Sequence, residues 1–525
     1  MSDLAQDLDA IGDDRYSESN GAGSSAPVSH SRMPQTARSG RRLAGSALFW
    51  LLLLLAAYFI PRGLLANPDS HLALSYALVE RHTVRIDAYV RLNPTHQDLL
   101  DKAIYCGSHT DVRTCTHFYS DKAPGISILT ALAYAPLRPV LPKAMLPEGK
   151  SVFLLRTLLT LVVISLPCAA FAVTYWQFLS RFVAPGTAMV VTIGYAIGSM
   201  ALPFSTLLFS HALTAALLFW AFILLFTARH GTSAPYTASS PTMLPVRPLV
   251  AGILAGYAIG CEYPTAIIAV LIGLYALVGN RLQVALLYSL GGCLGLLPTL
   301  IYNMAAFGSP TAQGYAHLAG DSQYARGMAH GLLGVGLPTW SAIWGTTFSP
   351  YRGIFWLSPW LLLAAPGLWL MSRTEWRVEA WFCGAISLVY FLFQAGYIFW
   401  DGGASVGPRH FLPALPFVVF PVAFALSKPS VKRLAIVLIA VSSLVLLLVL
   451  ATNPLFGDPK YVAHVRNPLV DQTLHDLAIG RLQNNWGKLF QLPGITSLLP
   501  LVIGIALLGR RMRRGLAAQA KNDLV

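Results

Sequence analysis

The chain has 525 residues, of which 55% are hydrophobic and 11% are charged, and its net charge is +14. Soluble proteins carry roughly 25% charged residues, so this chain has too few charges to cover a water-facing surface. The positive charge does not indicate nucleic-acid binding, because no basic stripe carries interleaved aromatic residues; Lys and Arg instead collect at the cytoplasmic ends of membrane spans. Apolar runs of about 18 to 20 residues predict an all-α polytopic membrane protein.

The chain begins with a polar, Ser- and Gly-rich stretch, residues 1–42, which we interpret as a disordered cytoplasmic tail. It contains no visible cleavable signal peptide. The basic residues Arg38, Arg41 and Arg42 precede the first predicted span, 44–60, and hold the tail inside the cell.

The first external loop is predicted over residues 61–150. It opens with "NPDSHLALSYALVE", whose helical spacing places Asp69 at the start of a helix, either as a simple N-cap or in a chemical role. The polar part of the loop ends with "HFYSDKAPG" at residues 117–125, which carries Asp121 and Lys122, and Asp101 lies between these motifs. Cys106 and Cys115 also lie in this loop, and a disulfide between them is plausible outside the cytoplasm.

The apolar segment 126–141 is short for a membrane crossing. We interpret it as a re-entrant or interfacial helix on the outer face, with a full crossing as the alternative. Arg156 lies near the outer end of the next span, 152–178. An arginine there needs an anionic partner or water, or it extends to the interface.

The remaining spans follow from hydropathy and from the positions of basic residues. Residues 249–279 have Arg247 and Arg281 at their two ends, so they predict a short hairpin that turns at "CEYPT", which contains Glu262. The other predicted spans are 184–203, 208–228, 283–305, 352–371, 378–399, 411–426, 432–452 and 494–509. This gives about twelve spans with both termini inside, and 510–525 forms a second cytoplasmic tail.

The polar, aromatic and Gly-Pro clusters all fall on the external side under this topology. They lie in the first external loop, in the turn at 204–211 before the span that contains His211, and in loops 306–351, 400–411 and 453–493. An aspartate there could deprotonate a hydroxyl nucleophile, and Lys or Arg could hold a phosphate leaving group. No P-loop or GxGxxG motif is present, so the energy would come from an activated substrate in the membrane.

These motifs resemble the GT-C glycosyltransferases, in particular those related to protein O-mannosyltransferases and to the lipid A aminoarabinose transferase. Asp69 stands where the family has an acid after the first span, "YSDKAPG" is similar to its acidic motif before proline, and Arg156 matches an arginine at the next span. The "CEYP" turn resembles the family's short hairpin. Glu262 replaces a lysine that is common there, and His211 replaces the usual aspartate of the second external turn.

The resemblance covers about residues 44–305 and implies a GT-C-like catalytic module over 43–305, with C-terminal transmembrane helices over 352–509. It implies inverting transfer of a sugar from a polyprenyl phosphate to a hydroxyl of a lipid, glycan or protein. Asp69 and Asp121 would be catalytic, and Lys122 and Arg156 would bind the donor phosphate. Substrate contacts would come from Tyr119, His211, Glu262, Tyr315, Arg352 and Arg409.

The same resemblance allows a divalent metal, Mg²⁺ or Mn²⁺, although no residue is assigned as a metal ligand. It implies a bacterial inner membrane protein whose active site faces the periplasm or the cell exterior. A transporter or lipid flippase, and a ligase or polymerase of lipid-linked oligosaccharide, remain alternatives.

Overall fold

The structure is a computed structural model that describes residues 35–61, 66–90, 101–106, 117–147, 149, 151–231, 246–279, 281–318, 323–457 and 465–520. Within these ranges, seven helical segments are long and apolar enough to cross a membrane, as expected of a polytopic protein. They are Ser39–Tyr58, Val152–Leu179, Ser210–His230, Leu282–Phe307, Arg377–Gly396, Pro429–Thr452 and Gly494–Ala520. The segment Val152–Leu179 contains a π-helical turn at Leu161–Ser165.

Shorter elements connect these segments. The α-helices among them are Ala66–Glu80, Gly125–Leu137, Pro185–Ala196, Ala201–Phe204, Val246–Cys261, Ala266–Leu277, Gln323–Met328, Trp340–Thr347, Ile354–Leu357, Ala364–Met371, Leu415–Val419, Val422–Ala425, His475–Ala478 and Trp486–Leu489. The 3₁₀ turns are Asp87–Tyr89, Arg138–Val140, Lys143–Met145, Tyr263–Thr265, Gly314–His317, Pro359–Leu363, Arg409–Ala414 and Gly494–Leu498, and a second π-helical turn spans Leu469–Leu474. Two short antiparallel strands, Ala103–Ile104 and Phe118–Tyr119, tie the first loop together.

Three of the predicted spans are built from shorter pieces. Span 184–203 breaks between Ala196 and Ala201, and spans 352–371 and 411–426 each divide into three short helices. Prolines lie in all three segments, and a proline removes a backbone donor and interrupts a helix. The predicted number of about twelve therefore includes broken segments, and seven continuous helices meet the length criterion among the described residues.

The first and last long helices pack antiparallel. Gly40 lies against Gly515, and Leu54 lies against Gly504. Beyond these helices, the amide of Ile60 donates a hydrogen bond to the carbonyl of Asn484 at 2.8 Å. The start of the first long helix and the end of the last therefore lie at the same end of the bundle; the chain termini themselves lie outside the described residues, and their predicted location on one side stays a prediction.

The opposite ends of the bundle carry different chemistry. Helix Ser210–His230 has His211 at one end and His230 at the other, about 29 Å apart at 1.5 Å per residue. At the His230 end, the Glu379 carboxylate lies 2.8 Å from His230 Nε2. Arg281 also lies at this end and donates a hydrogen bond to the Ala228 carbonyl. The His211 end contains the long loops, and we call it the loop end.

Helix Gly125–Leu137 contains 13 residues, so it extends only about 20 Å. This is short of the roughly 30 Å needed for a crossing. The length agrees with an interfacial or re-entrant helix over 126–141, and its position relative to a membrane stays a prediction.

Candidate functional site

Asp69 lies in the first turn of helix Ala66–Glu80 and forms an ion pair with Arg156. The distance from Asp69 Oδ1 to Arg156 Nη1 is 3.1 Å, and Arg156 Nη2 donates to the carbonyl of Pro61 at 2.7 Å. The helix begins three residues before Asp69, so the N-cap interpretation of Asp69 is wrong. The anionic partner that the sequence analysis expected for Arg156 is this carboxylate.

Lys122 lies between two carboxylates. Its Nζ is 3.0 Å from Asp121 Oδ2 and 3.1 Å from Asp101 Oδ2. The rings of Tyr315 and Tyr324 cover the ammonium group, with Nζ 5.4 Å and 5.3 Å from their centroids, as in cation–π contacts. Asp121 is fully buried, and the three charged residues form what we call the Lys122 triad, namely Asp101, Asp121 and Lys122.

Ser70 joins the Lys122 triad to the Asp69–Arg156 pair. Its hydroxyl lies 2.8 Å from the Ser120 hydroxyl and 3.4 Å from Asp121 Oδ1. Because Ser70 follows Asp69 directly in the chain, their Cα atoms are only about 3.8 Å apart. The four residues that the sequence assigned to catalysis and phosphate binding therefore converge at the loop end.

Close backbone contacts hold the loops of this site in place. A Cβ atom on Gly314 would lie 2.8 Å from the Asp121 Cα, so only glycine lets the next residue, Tyr315, reach Lys122. A Cβ on Gly125 would lie 2.7 Å from the Gly260 backbone, and Tyr257 donates to the Gly125 carbonyl. The motif "HFYSDKAPG" is thereby fixed to the hairpin that carries Glu262.

The electrostatics of the Lys122 triad differ from those of a simple phosphate-binding lysine. Burial raises the pKa of Asp121 to about 6, against the opposing effect of Lys122. Burial alone would lower the pKa of Lys122, but the carboxylates of Asp101 and Asp121 raise it well above its usual value. The positive charge of Lys122 is therefore offset by the two carboxylates beside it.

A pocket opens beside Arg156, between the first helix and the π-helical turn. Its cavity volume is about 10 Å³, roughly the space of one water molecule. The polar lining includes Arg156, Thr157, Thr160, Ser165 and Thr206. The rest of the lining is Ala56, Pro61, Pro68, Leu161, Leu207 and Leu208. The pocket thus offers one cation, several hydroxyls and an apolar wall.

A second cluster lies around Glu262, at the turn of the hairpin. Its Oε2 atom is 2.7 Å from His211 Nδ1 and accepts a hydrogen bond from Ser210 at 3.1 Å. Its Oε1 atom faces His410 Nδ1 at 3.8 Å. Burial lowers the pKa of His410 to about 4, so its imidazole is neutral at physiological pH. We call His211, Glu262 and His410 the His–Glu–His cluster.

Aromatic side chains bridge the two clusters. The Tyr324 ring over Lys122 lies 5.0 Å from Phe399, and Phe399 lies 5.8 Å from Tyr397. Tyr397 in turn lies 5.2 Å from His410. The Lys122 triad and the His–Glu–His cluster are therefore joined through one aromatic wall.

The structure places three of the predicted substrate contacts in packing positions. Tyr119 is buried against Phe307, with ring centroids 5.5 Å apart. Arg352 has no exposed surface, and its guanidinium donates to the carbonyls of Asp401 and Gly403. The prediction that Arg352 lines a substrate cavity is corrected accordingly: it holds two loops together.

Arg409 also packs against protein, since its guanidinium lies 5.1 Å from the Phe209 ring centroid. Cys106 is disulfide-bonded. Its predicted partner, Cys115, lies outside the described residues.

The solved structures that resemble this chain include ArnT and an archaeal oligosaccharyltransferase. ArnT from Cupriavidus metallidurans, bound to undecaprenyl phosphate and in the apo state, aligns at 12% identity with a TM-score of 0.47, over 92% of this chain and 74% of ArnT. The oligosaccharyltransferase from Archaeoglobus fulgidus aligns at 11% identity with a TM-score of 0.43, over 92% of this chain and 56% of that protein. No family profile and no curated protein matches the sequence. Both TM-scores lie below 0.5, and the roles of individual side chains therefore rest on their own contacts.

Sequence analysis missed several members of the site. Asp101 was recognised only as a loop acid, and Ser70, Tyr324, Tyr397 and His410 received no role. His410 follows Arg409 directly in a predicted external loop, so its position carried a signal. Nothing in the sequence spacing indicates that it meets Glu262, which is 148 residues earlier in the chain.

Proposed function

We propose that this multi-pass membrane protein is a glycosyltransferase of the GT-C kind. It would move a sugar from a polyprenyl-phosphate donor to an acceptor hydroxyl on the extracytoplasmic face of a bacterial inner membrane. The observation that carries the proposal is the convergence of the Asp69–Arg156 ion pair and the Lys122 triad at the loop end, beside the pocket that Arg156 lines.

The donor phosphate would bind at Arg156. The guanidinium borders the pocket together with Thr157 and Thr160, and guanidinium groups pair well with phosphate oxygens. Lys122 is a weaker candidate for binding the phosphate than Arg156, because Asp101 and Asp121 already neutralise its charge.

Asp69 would act as the general base. It is partly exposed, whereas Asp121 is completely buried and engaged with Lys122. When Arg156 turns towards the donor phosphate, Asp69 loses its cationic partner and becomes a stronger base. It then accepts the proton of the acceptor hydroxyl as that oxygen bonds to the anomeric carbon. The bond from this carbon to phosphate oxygen breaks, and polyprenyl phosphate leaves with the electron pair.

The test uses the purified full-length protein in nanodiscs. Undecaprenyl phosphates that carry hexose, pentose or amino sugars are supplied with lipid, glycan and peptide acceptors, and the release of undecaprenyl phosphate is measured by mass spectrometry. We expect release with at least one donor, and a loss of about 10²-fold or more in D69N, since a positioned general base contributes 10²–10⁴-fold.

The matched control is D87N, which changes another acid of the same loop that is bonded to His117. D87N is expected to keep most of the activity. Full activity in a correctly inserted D69N protein would remove Asp69 from the role of base. In sealed proteoliposomes, passage of an intact lipid-linked sugar across the bilayer without cleavage would instead support the flippase alternative.

A further inference from the structure

We propose that the His–Glu–His cluster is a binding site for a zinc-class divalent cation. Its three side chains come from separate elements at the loop end. His211 starts helix Ser210–His230, Glu262 precedes the 3₁₀ turn Tyr263–Thr265, and His410 lies in the turn Arg409–Ala414. One potential ligand atom from each residue lies within 4.8 Å of the other two.

The gap between Glu262 and His410 has the size of a metal bridge. Glu262 Oε1 and His410 Nδ1 are 3.8 Å apart, which is too long for a hydrogen bond. Two ligands that each lie about 2.1 Å from a tetrahedral zinc are about 3.4 Å apart. A contraction of a few tenths of an ångström would therefore bring both atoms into coordination distance.

Glu262 Oε1 lacks a hydrogen-bond partner among the described residues, although the side chain is buried. A buried polar atom without a partner loses its hydrogen bonds to water and gains none in return, so such atoms are rare in native proteins. A cation between Oε1 and His410 would satisfy this atom. The same carboxylate is already oriented through Oε2, which accepts a hydrogen bond from Ser210 and lies 2.7 Å from His211 Nδ1.

The donor set identifies the class of ion. Two imidazoles and one carboxylate are a ligand set of zinc sites that keep an open fourth position, whereas Mg²⁺ prefers oxygen ligands. The nearby guanidinium of Arg409 faces Phe209 and the carbonyl of Ala404, so it does not occupy the carboxylate. The metal expectation from the sequence, Mg²⁺ or Mn²⁺, changes here to a softer cation with named ligands.

This inference does not rest on transferase activity. Aromatic contacts through Tyr397 and Tyr324 connect His410 to Lys122. The proposed ion would therefore lie at the loop end, together with the Lys122 triad. Metal content can be measured even if no sugar donor is found.

The experiment measures metal in the purified full-length protein in nanodiscs. Protein made without chelator is passed through gel filtration, and its metal content is determined by mass spectrometry. We expect about one zinc per chain. Chelator-treated protein is then titrated with Co²⁺, and a tetrahedral site gives visible d–d absorption that saturates at one equivalent.

The variants E262Q and H410N are each expected to lose the zinc and the Co²⁺ spectrum. The matched control is E379Q, because Glu379 also binds a histidine, His230, at 2.8 Å but has no second histidine in the pair. E379Q should retain the metal. Gel filtration and thermal unfolding establish that each variant is folded.

Absence of zinc from the wild type together with absence of a Co²⁺ spectrum would overturn the proposal. Preferential binding of iron, manganese or magnesium would overturn the assignment to zinc. Equal metal loss in E379Q and E262Q would show that the metal depends on the fold and not on these ligands, and it would also overturn the proposal.

Discussion

At the scale of single residues, the Lys122 triad shows how burial changes the role that a motif suggests. The motif "SDKAPG" suggests that Lys122 is available to bind a phosphate. In the folded chain, however, Asp101 and Asp121 lie about 3 Å from the Lys122 ammonium group. Removing one member of a buried ion pair leaves an uncompensated charge, which usually destabilises a protein by about 3–5 kcal/mol. The Lys122 triad is therefore expected to stabilise the folded loop end in addition to any role in its chemistry.

A pH dependence follows from Asp121. Its pKa in the folded chain is about 6, above its ordinary value of 3.8, so the folded state holds this proton more tightly than the unfolded state. Stability is therefore lost as the pH rises from about 4 to 6, by roughly 3 kcal/mol at 1.36 kcal/mol per pKa unit. We expect D121N to lack this contribution, so its stability relative to the wild type should increase over this range.

The measurement is the thermal unfolding midpoint of both proteins between pH 4.5 and 7.5. D476N serves as a control, because Asp476 pairs with the exposed Arg481 outside the triad. A stability difference between D121N and the wild type that does not change with pH would contradict the prediction.

At the scale of elements, glycines set the position of the hairpin. Helices Val246–Cys261 and Leu282–Phe307 approach closely along Gly252 and Gly256, in the manner of small-residue interfaces between membrane helices. Glu262 lies at the turn of this hairpin, and Gly125 packs against the last turn of helix Val246–Cys261. The helix interface therefore controls where the carboxylate of Glu262 lies relative to His211 and His410.

Two glycines of this interface give a matched test. A Cβ at Gly256 would lie 2.1 Å from the carbonyl oxygen of Gly292, whereas a Cβ at Gly292 would meet its nearest neighbour at 4.0 Å. We expect G256A to destabilise the protein by about 1–3 kcal/mol, the usual cost of overpacking. G292A should be close to neutral. Thermal unfolding in nanodiscs measures both, and equal midpoints for the two variants would contradict the packing argument.

At the scale of the whole molecule, the loops meet at one end and basic residues gather at the other. Arg352 joins the loops through the carbonyls of Asp401, Gly403 and Gly457. At the opposite end, Arg181 donates to Gly231 and Arg281 to Ala228. Positive residues favour the cytoplasmic side, so the loop end is predicted to face outward.

This orientation can be measured by labelling single cysteines in intact cells. Leu337 in loop 306–351 is 88% exposed, and Arg513 near the C-terminus is also exposed. With the free cysteines replaced, L337C should react with a membrane-impermeant maleimide added outside. R513C should react only after the membrane is permeabilised. Labelling of R513C in intact cells, without labelling of L337C, would reverse the topology.

The amino-acid sequence alone predicts the membrane class, the apolar helices and the clustering of polar residues in a few loops. These features depend on composition and on local hydropathy, and both are properties of the sequence itself. It also singled out Asp69, Asp121, Lys122 and Arg156 as candidates through their motifs, and the roles of these residues remain predictions.

Which of these residues are partners is visible only in the folded chain. Asp69 pairs with Arg156 across 87 residues of chain, and Glu262 meets His410 across 148. Such pairings are set by helix packing and by loop closure, which leave no periodic trace in the sequence. For the same reason, the sequence did not show that Arg352, an expected substrate contact, is buried and supports two loops. It also did not show that two carboxylates enclose Lys122 of "HFYSDKAPG".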